Sequence, residues 1–102
     1  MIQLILTRDA LTDVLEISEW YEEQTEGTGE RFLKALDDKF EMIRQNPEIH
    51  RTLPDSPIRK SKVENWPYQV FFAIRNRVAE VIAIIHTSRD ASYISERTQI
   101  DQ

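Results

Sequence analysis

The chain has no cysteine, and only two glycines and two histidines in 102 residues. The missing thiols exclude a disulfide framework, a thiolate zinc site and a cysteine nucleophile, and they fit a reducing cytosol. His50 and His86 stand far apart, which gives no metal-ligand spacing, and no glycine-rich phosphate cradle is present, so neither metal nor cofactor is expected. Long apolar runs are lacking too. Met1-Ile2-Gln3-Leu4-Ile5-Leu6 gives way to Thr7-Arg8-Asp9, too soon for a signal-peptide core or a membrane span, and the expectation is a cytoplasmic protein. A basic excess is missing as well: the formal net charge is -5, and phosphate contact draws its affinity from basic side chains. The deficit is uneven. Residues 1–50 carry five basic and twelve acidic side chains, whereas residues 51–102 carry eight and six, which leaves room for a basic face in the second half.

What is present is 40% apolar residues, enough for one compact domain over residues 1–102. A domain of this size buries only ~60–65% of its unfolded surface, so its stability is small and a partner covering apolar surface would raise it. Ile2, Leu4 and Leu6 read as a first strand inside a sheet. Over residues 9–24, Ala10, Leu11, Val14, Ile17, Trp20 and Tyr21 recur at helical spacing, with Asp13, Glu16, Glu19, Glu22 and Glu23 mostly on the other side. Both glycines fall in Thr25-Glu26-Gly27-Thr28-Gly29, where the chain turns. A second helix follows over residues 30–45, with Phe32, Leu33, Leu36, Phe40 and Ile43 on one face, and Asn46-Pro47 ends it.

Prolines at 54, 57 and 67 then punctuate extended segments. Residues 58–64 carry the basic run Arg59-Lys60-Ser61-Lys62 and read as a solvent-facing strand. Residues 68–75 and 78–85, joined by Asn76-Arg77 alone, read as a tight hairpin buried on both faces in part, with the helices on one face. The fold class is α+β: an N-terminal strand, then an antiparallel two-helix hairpin packed on a mainly antiparallel sheet. From Ser88 the chain is polar except for Tyr93 and Ile94, as for a short helix or a frayed end.

Several separated stretches carry a family resemblance. Ile17-Ser18-Glu19-Trp20-Tyr21-Glu22, Gly29-Glu30-Arg31-Phe32-Leu33 with Asn46-Pro47, Trp66-Pro67-Tyr68-Gln69-Val70-Phe71-Phe72, and Val81-Ile82-Ala83-Ile84-Ile85-His86 with Ser88-Arg89-Asp90 and Arg97 are similar, in that order, to the RelE/ParE superfamily. Those proteins are toxins of type II toxin–antitoxin systems, including plasmid stabilisation proteins. The resemblance implies a growth-inhibiting toxin held in a hetero-oligomer by a cognate antitoxin. RelE-like members cut messenger RNA on the ribosome; ParE-like members bind DNA gyrase without being nucleases; a non-toxic antitoxin-binding homologue is a third reading. The acidic charge departs from the basic balance usual in the superfamily and sets the ParE-like reading first.

Cutting RNA through its 2′-hydroxyl needs a base, an acid and cations over the phosphate. His86, Arg89, Arg75 and Tyr93 are the catalytic candidates under the nuclease reading, and Arg59, Lys60, Lys62 and Arg97 the candidates for nucleic-acid or target contact. Each has a plainer alternative. Ile82, Ile84 and His86 share one face by strand period, so His86 also reads as a strand cap. The basic run reads equally as a solvated edge, and Arg89, Asp90 and Arg97 as ion pairs tying down the tail. Trp20 and Tyr21 read as core, Trp66 as partly exposed for a partner, and nothing in the sequence around His50 suggests a site.

Overall fold

Thr7 shows why the first helix begins where it does. Its backbone is extended, and its hydroxyl accepts the Ala10 amide at 3.1 Å, satisfying a donor that the first helical turn leaves open. The structure, a computed structural model, describes residues 1–89 together with Ser92, Ile94 and Arg97. In chain order it holds β1 (Gln3–Leu6), α1 (Arg8–Gln24), α2 (Thr28–Gln45), a 3-10 turn at Pro47–Ile49, β2 (Arg51–Thr52), β3 (Arg59–Lys62), β4 (Tyr68–Arg75) and β5 (Val78–His86). Ser92, Ile94 and Arg97 are helical. Tyr93 and Asp90 lie outside the described residues.

The two glycines have separate tasks in the turn between the helices. Gly27 adopts a left-handed φ of 88°, a conformation open to glycine at no steric cost. Gly29 sits where the helices meet: a Cβ there would stand 2.5 Å from the Ser18 carbonyl oxygen. Glu22 ties the junction, its carboxylate accepting the Gly27 amide at 2.8 Å and the Gly29 amide at 3.0 Å. A carboxylate over the open amides at a helix start also matches the helix dipole.

The helical stripes are narrower than their sequence pattern. Ala10, Val14, Phe32, Leu36 and Ile43 are buried, but Leu11, Trp20 and Leu33 are 50%, 54% and 41% exposed. Each lies on the flank of its stripe. Trp66 is half-buried, set edge-on against Tyr21 and Phe32 at 5.0 and 5.3 Å between ring centres.

The sheet order is β1-β5-β4-β3-β2, with β1 parallel to β5 and every other pairing antiparallel. The first strand therefore stands at an edge instead of inside the sheet. The end of α2 supplies what a further strand would: the Ile2 amide donates to the Arg44 carbonyl at 3.1 Å. The two-residue connection between β4 and β5 places Asn76 and Arg77 at φ of 54° and 63°, the paired positive angles that suit the twist of a two-residue hairpin.

Two apolar clusters form. One lies under the helices and includes Phe32, Leu36, Val70, Phe72, Val81 and Ile84. The other lies on the opposite sheet face, where Ile94 covers Ile58, Phe71, Ile82, Ala83 and Ile85. Burying both faces of β5 accounts for its unbroken apolar run.

Candidate functional site

Alternation along β5 breaks once, and the break decides where its last residues point. Phe71 pairs with Ala83 and Phe72 with Val81, so Ile82 is an extra residue bulged out of register. Before the bulge the odd-numbered Ala79 and Val81 join the cluster under the helices; after it the even-numbered Ile84 does. Ile82 joins the other cluster. The expected common face of Ile82, Ile84 and His86 is therefore wrong for Ile82. An added residue shifts the phase of a strand by one, and here it turns His86 to the helical side, opposite Tyr68.

β5 also outruns its parallel neighbour. β1 ends at Leu6 opposite Val81, and β5 continues to His86 beside α1. Side chains take up the backbone groups exposed by this mismatch. The Ile84 amide donates to Asp13 Oδ2 at 2.9 Å, and the Ile82 carbonyl accepts from the Arg97 guanidinium at 3.0 Å and the Thr7 hydroxyl at 3.4 Å. Arg97 holds Asp13 with both terminal nitrogens, at 2.6 and 2.9 Å. The pair that ties down the tail is thus Asp13–Arg97, and Asp13 leaves the solvated acidic face where sequence spacing put it.

Beside this clamp a cleft of about 640 Å³ opens between α1 and the ends of β4 and β5. A chain of aromatic rings lines it. Trp20 meets Tyr21 at 5.0 Å, Tyr21 meets Tyr68 at 6.2 Å, and Tyr68 meets His86 at 5.3 Å, all edge-on. Asp13, Glu16, Ser88 and Arg89 supply the polar wall. Burial first, then its hydrogen bond with Tyr21, push the Tyr68 phenol up to about 12, so it stays neutral at physiological pH. His86 Nδ1 accepts the Ser88 amide at 3.1 Å and lies 2.8 Å from the Ser88 hydroxyl. A ring nitrogen that accepts an N–H carries no hydrogen, so the neutral imidazole holds its hydrogen on Nε2 and presents a donor there.

Through the sheet, a smaller cavity of about 180 Å³ lies between Leu53, Lys60, Phe71 and Arg89, and Ile85, His86 and Arg89 border both cavities. Of the residues singled out in the sequence, His86, Arg89 and Lys60 meet here. The others are elsewhere. Arg75 pairs with Val78 at the far end of the hairpin, roughly 23 Å along the strand from Tyr68 at ~3.3 Å per residue. Arg59 donates to the Glu48 and His50 carbonyls at 3.2 and 2.7 Å, and Lys62 to those of Trp66 and Val63 at 3.0 and 3.4 Å. Arg97 is in the clamp, and Tyr93 is outside the described residues.

Sequence reasoning missed Asp13, Glu16, Trp20 and Tyr21 as lining. A signal existed for Trp20: it lies off the row Ala10, Val14, Ile17, Tyr21, which already completes a helical stripe. His50 was also passed over. Its Nε2 is buried without a hydrogen-bond partner, and burial, then Lys39 and Arg59, hold its pKa below the usual value. Among the described residues no group of three His, Cys, Asp or Glu side chains is placed to hold a metal, and no helix is long and apolar enough to cross a membrane.

The family model described as ParE toxin of type II toxin-antitoxin system, parDE, matches residues 4–91. Among solved structures, a chain of the chromosomal ParDE TA system from P. aeruginosa is similar at 24% identity and a TM-score of 0.66, over 84% of this chain and 96% of its own. The isolated E. coli RelE toxin is similar at 17% identity and a TM-score of 0.62, over 98% and 99%. These two likenesses are of fold. No curated protein matches the sequence significantly.

Proposed function

The chain belongs to the ParE toxin family of type II toxin–antitoxin systems, and from that premise we propose that it arrests growth by seating a protein target, DNA gyrase, at the aromatic cleft, until a cognate antitoxin silences it. The observation that carries this reading is the state of the cations. Arg59 and Lys62 are spent on backbone carbonyls, Arg97 on Asp13, and Arg75 is at the other end of the hairpin. A scissile phosphate at the cleft would find Arg89 but also Glu16, whose charge opposes it, while Asp13 is already held by Arg97. Rings with polar tips, one of them on a 54% exposed tryptophan, instead suit the desolvated centre of a protein contact.

A nuclease of the RelE kind is the second reading, favoured by Lys60 and Arg89 beside His86 around the smaller cavity. One experiment separates the two: induce the chain alone, map messenger 5′ ends, and assay gyrase supercoiling with the purified protein. The expected result is intact messages and inhibited gyrase, with Trp20→Glu relieving both growth arrest and inhibition. New cuts within translated codons and unaffected gyrase would overturn the proposal in favour of the nuclease.

A further inference from the structure

The rings that line the cleft are set as walls rather than as a stack. Trp20 meets Tyr21, Tyr21 meets Tyr68 and Tyr68 meets His86 at 85°, 77° and 81° between planes. Successive planes near a right angle enclose a corner, as in the aromatic cages that hold organic cations against negative ring faces. The charge on the α1 wall has one sign. Glu16 lines the cleft, and Glu23 extends its row: they stand four residues before and three after Trp20, and so in line with it on the helix. All three are exposed. Asp13, on the same wall, has its charge met by Arg97 at 2.6 and 2.9 Å, whereas among the described residues Glu16 and Glu23 enter no ion pair. The opposite wall donates, through Arg89 and through Nε2 of His86.

We propose that the cleft anchors an arginine side chain of the target protein, its guanidinium among the rings of Trp20, Tyr21 and Tyr68 and facing Glu16, its backbone carbonyl toward His86 and Arg89. The inference rests on reading the cleft as the seat of a protein target, and it names the side chain that fills it. Arginine suits the site better than lysine, because a guanidinium is planar, weakly hydrated, stacks on rings and grips a carboxylate with two hydrogen bonds. The other occupants fit worse. An acidic side chain or a phosphate would be received by the donor wall but would face Glu16 and Glu23 across the cleft. An apolar anchor would desolvate Glu16 and give it no partner. The helical half adds to the preference through its field, five basic against twelve acidic side chains over residues 1–50.

Two measurements on the full chain test this. In the first, nitrogen–proton spectra are recorded with millimolar capped tripeptide, glycine–arginine–glycine or its glutamate counterpart. The arginine peptide should shift the Trp20 indole signal and the amides of Tyr21, Tyr68 and His86; the glutamate peptide should not, and Glu16→Gln should remove the shifts. In the second, gyrase supercoiling is titrated with wild type, Glu16→Gln, Trp20→Phe and Trp20→Leu, each checked by circular dichroism. Glu16→Gln and Trp20→Leu should need ~2–30-fold more protein for half inhibition, and Trp20→Phe, which keeps a ring, should lose less than Trp20→Leu. Unchanged inhibition by Glu16→Gln and Trp20→Leu beside an active wild type overturns the arginine anchor and leaves gyrase as the target. Absence of the shifts, or equal shifts with the glutamate peptide, overturns it as well. If wild type spares gyrase while the arginine peptide seats in the cleft, the gyrase reading fails and the arginine anchor stands.

Discussion

Asp13 holds three groups at once, an amide of β5 and two nitrogens of Arg97, with side-chain exposures of 15% for the acid and 12% for the arginine. Removing one partner of a pair so poorly solvated strands the other charge, which costs more than the pair contributes. Asp13→Ala should lower unfolding stability by ~2–4 kcal/mol, and Arg97→Met by a similar amount. The double variant should cost clearly less than the sum, which a denaturation double-mutant cycle would read; additive losses would sink the coupling. An ion pair at Arg97 that ties down the tail was legible in the sequence, but its partner was not, because Asp13 lies at helical spacing among four other acids and 84 positions away. His50 was hidden for a related reason. Its surroundings come from α2 and β3, and its lowered pKa carries a definite sign. The folded state resists protonation, so the unfolded state binds the proton first as pH falls below about 6.5. Stability is then lost as pH drops through that value toward the lower folded pKa. Comparing wild type with His50→Phe in chemical denaturation from pH 7.5 to 5 should show a steeper loss in wild type; parallel curves would remove His50 as a cause.

At the scale of elements, the sequence is read well wherever the signal is local. Helix spans, the stop at Asn46-Pro47, the glycine turn and the two-residue hairpin all follow from patterns within a few residues. The edge position of β1 and the bulge at Ile82 do not, because both depend on which strand ends first beside β5. Trp20 illustrates the middle case: the helix was clear, but six apolar residues were assigned to a stripe that closes with fewer. Gly29 offers a test of the helix junction. In an ordinary helical position alanine is favoured over glycine by ~1 kcal/mol. Here the added methyl meets the Ser18 backbone at 2.5 Å and cannot displace a flexible neighbour. Gly29→Ala should therefore destabilise, by ~1–3 kcal/mol as other overpacked sites do, and a rise in melting temperature would show that the helices separate freely. Gly27 has open space around it but a φ of 88°, so alanine there costs only the left-handed backbone, ~1–2 kcal/mol.

For the whole molecule, the decisive feature is that β5 needs cover on both faces and along one edge, and two parts of the chain, the helical hairpin and the tail, supply it. The helical hairpin covers the inner face through Phe32, Leu36 and Ile43. The tail does the rest: Ile94, 2% exposed, covers the outer cluster, and Arg97 reaches the Ile82 carbonyl and Asp13 at the edge. A chain ending at Arg89 keeps every strand and both long helices yet loses both contacts. It would leave Ile82, Ala83, Ile85 and Phe71 open to water on one face and Asp13 without its arginine at the other. Losing a buried isoleucine alone costs ~2–5 kcal/mol, and a stranded carboxylate adds to it, against a total of ~5–15 kcal/mol for a typical domain. The shortened chain should therefore melt well below the full one and bind a dye for exposed apolar surface. If it melts at the same temperature and binds no dye, the helices and sheet alone sustain the fold. Partial loss in Ile94→Ala, with Arg97 intact, would apportion the effect between face and edge.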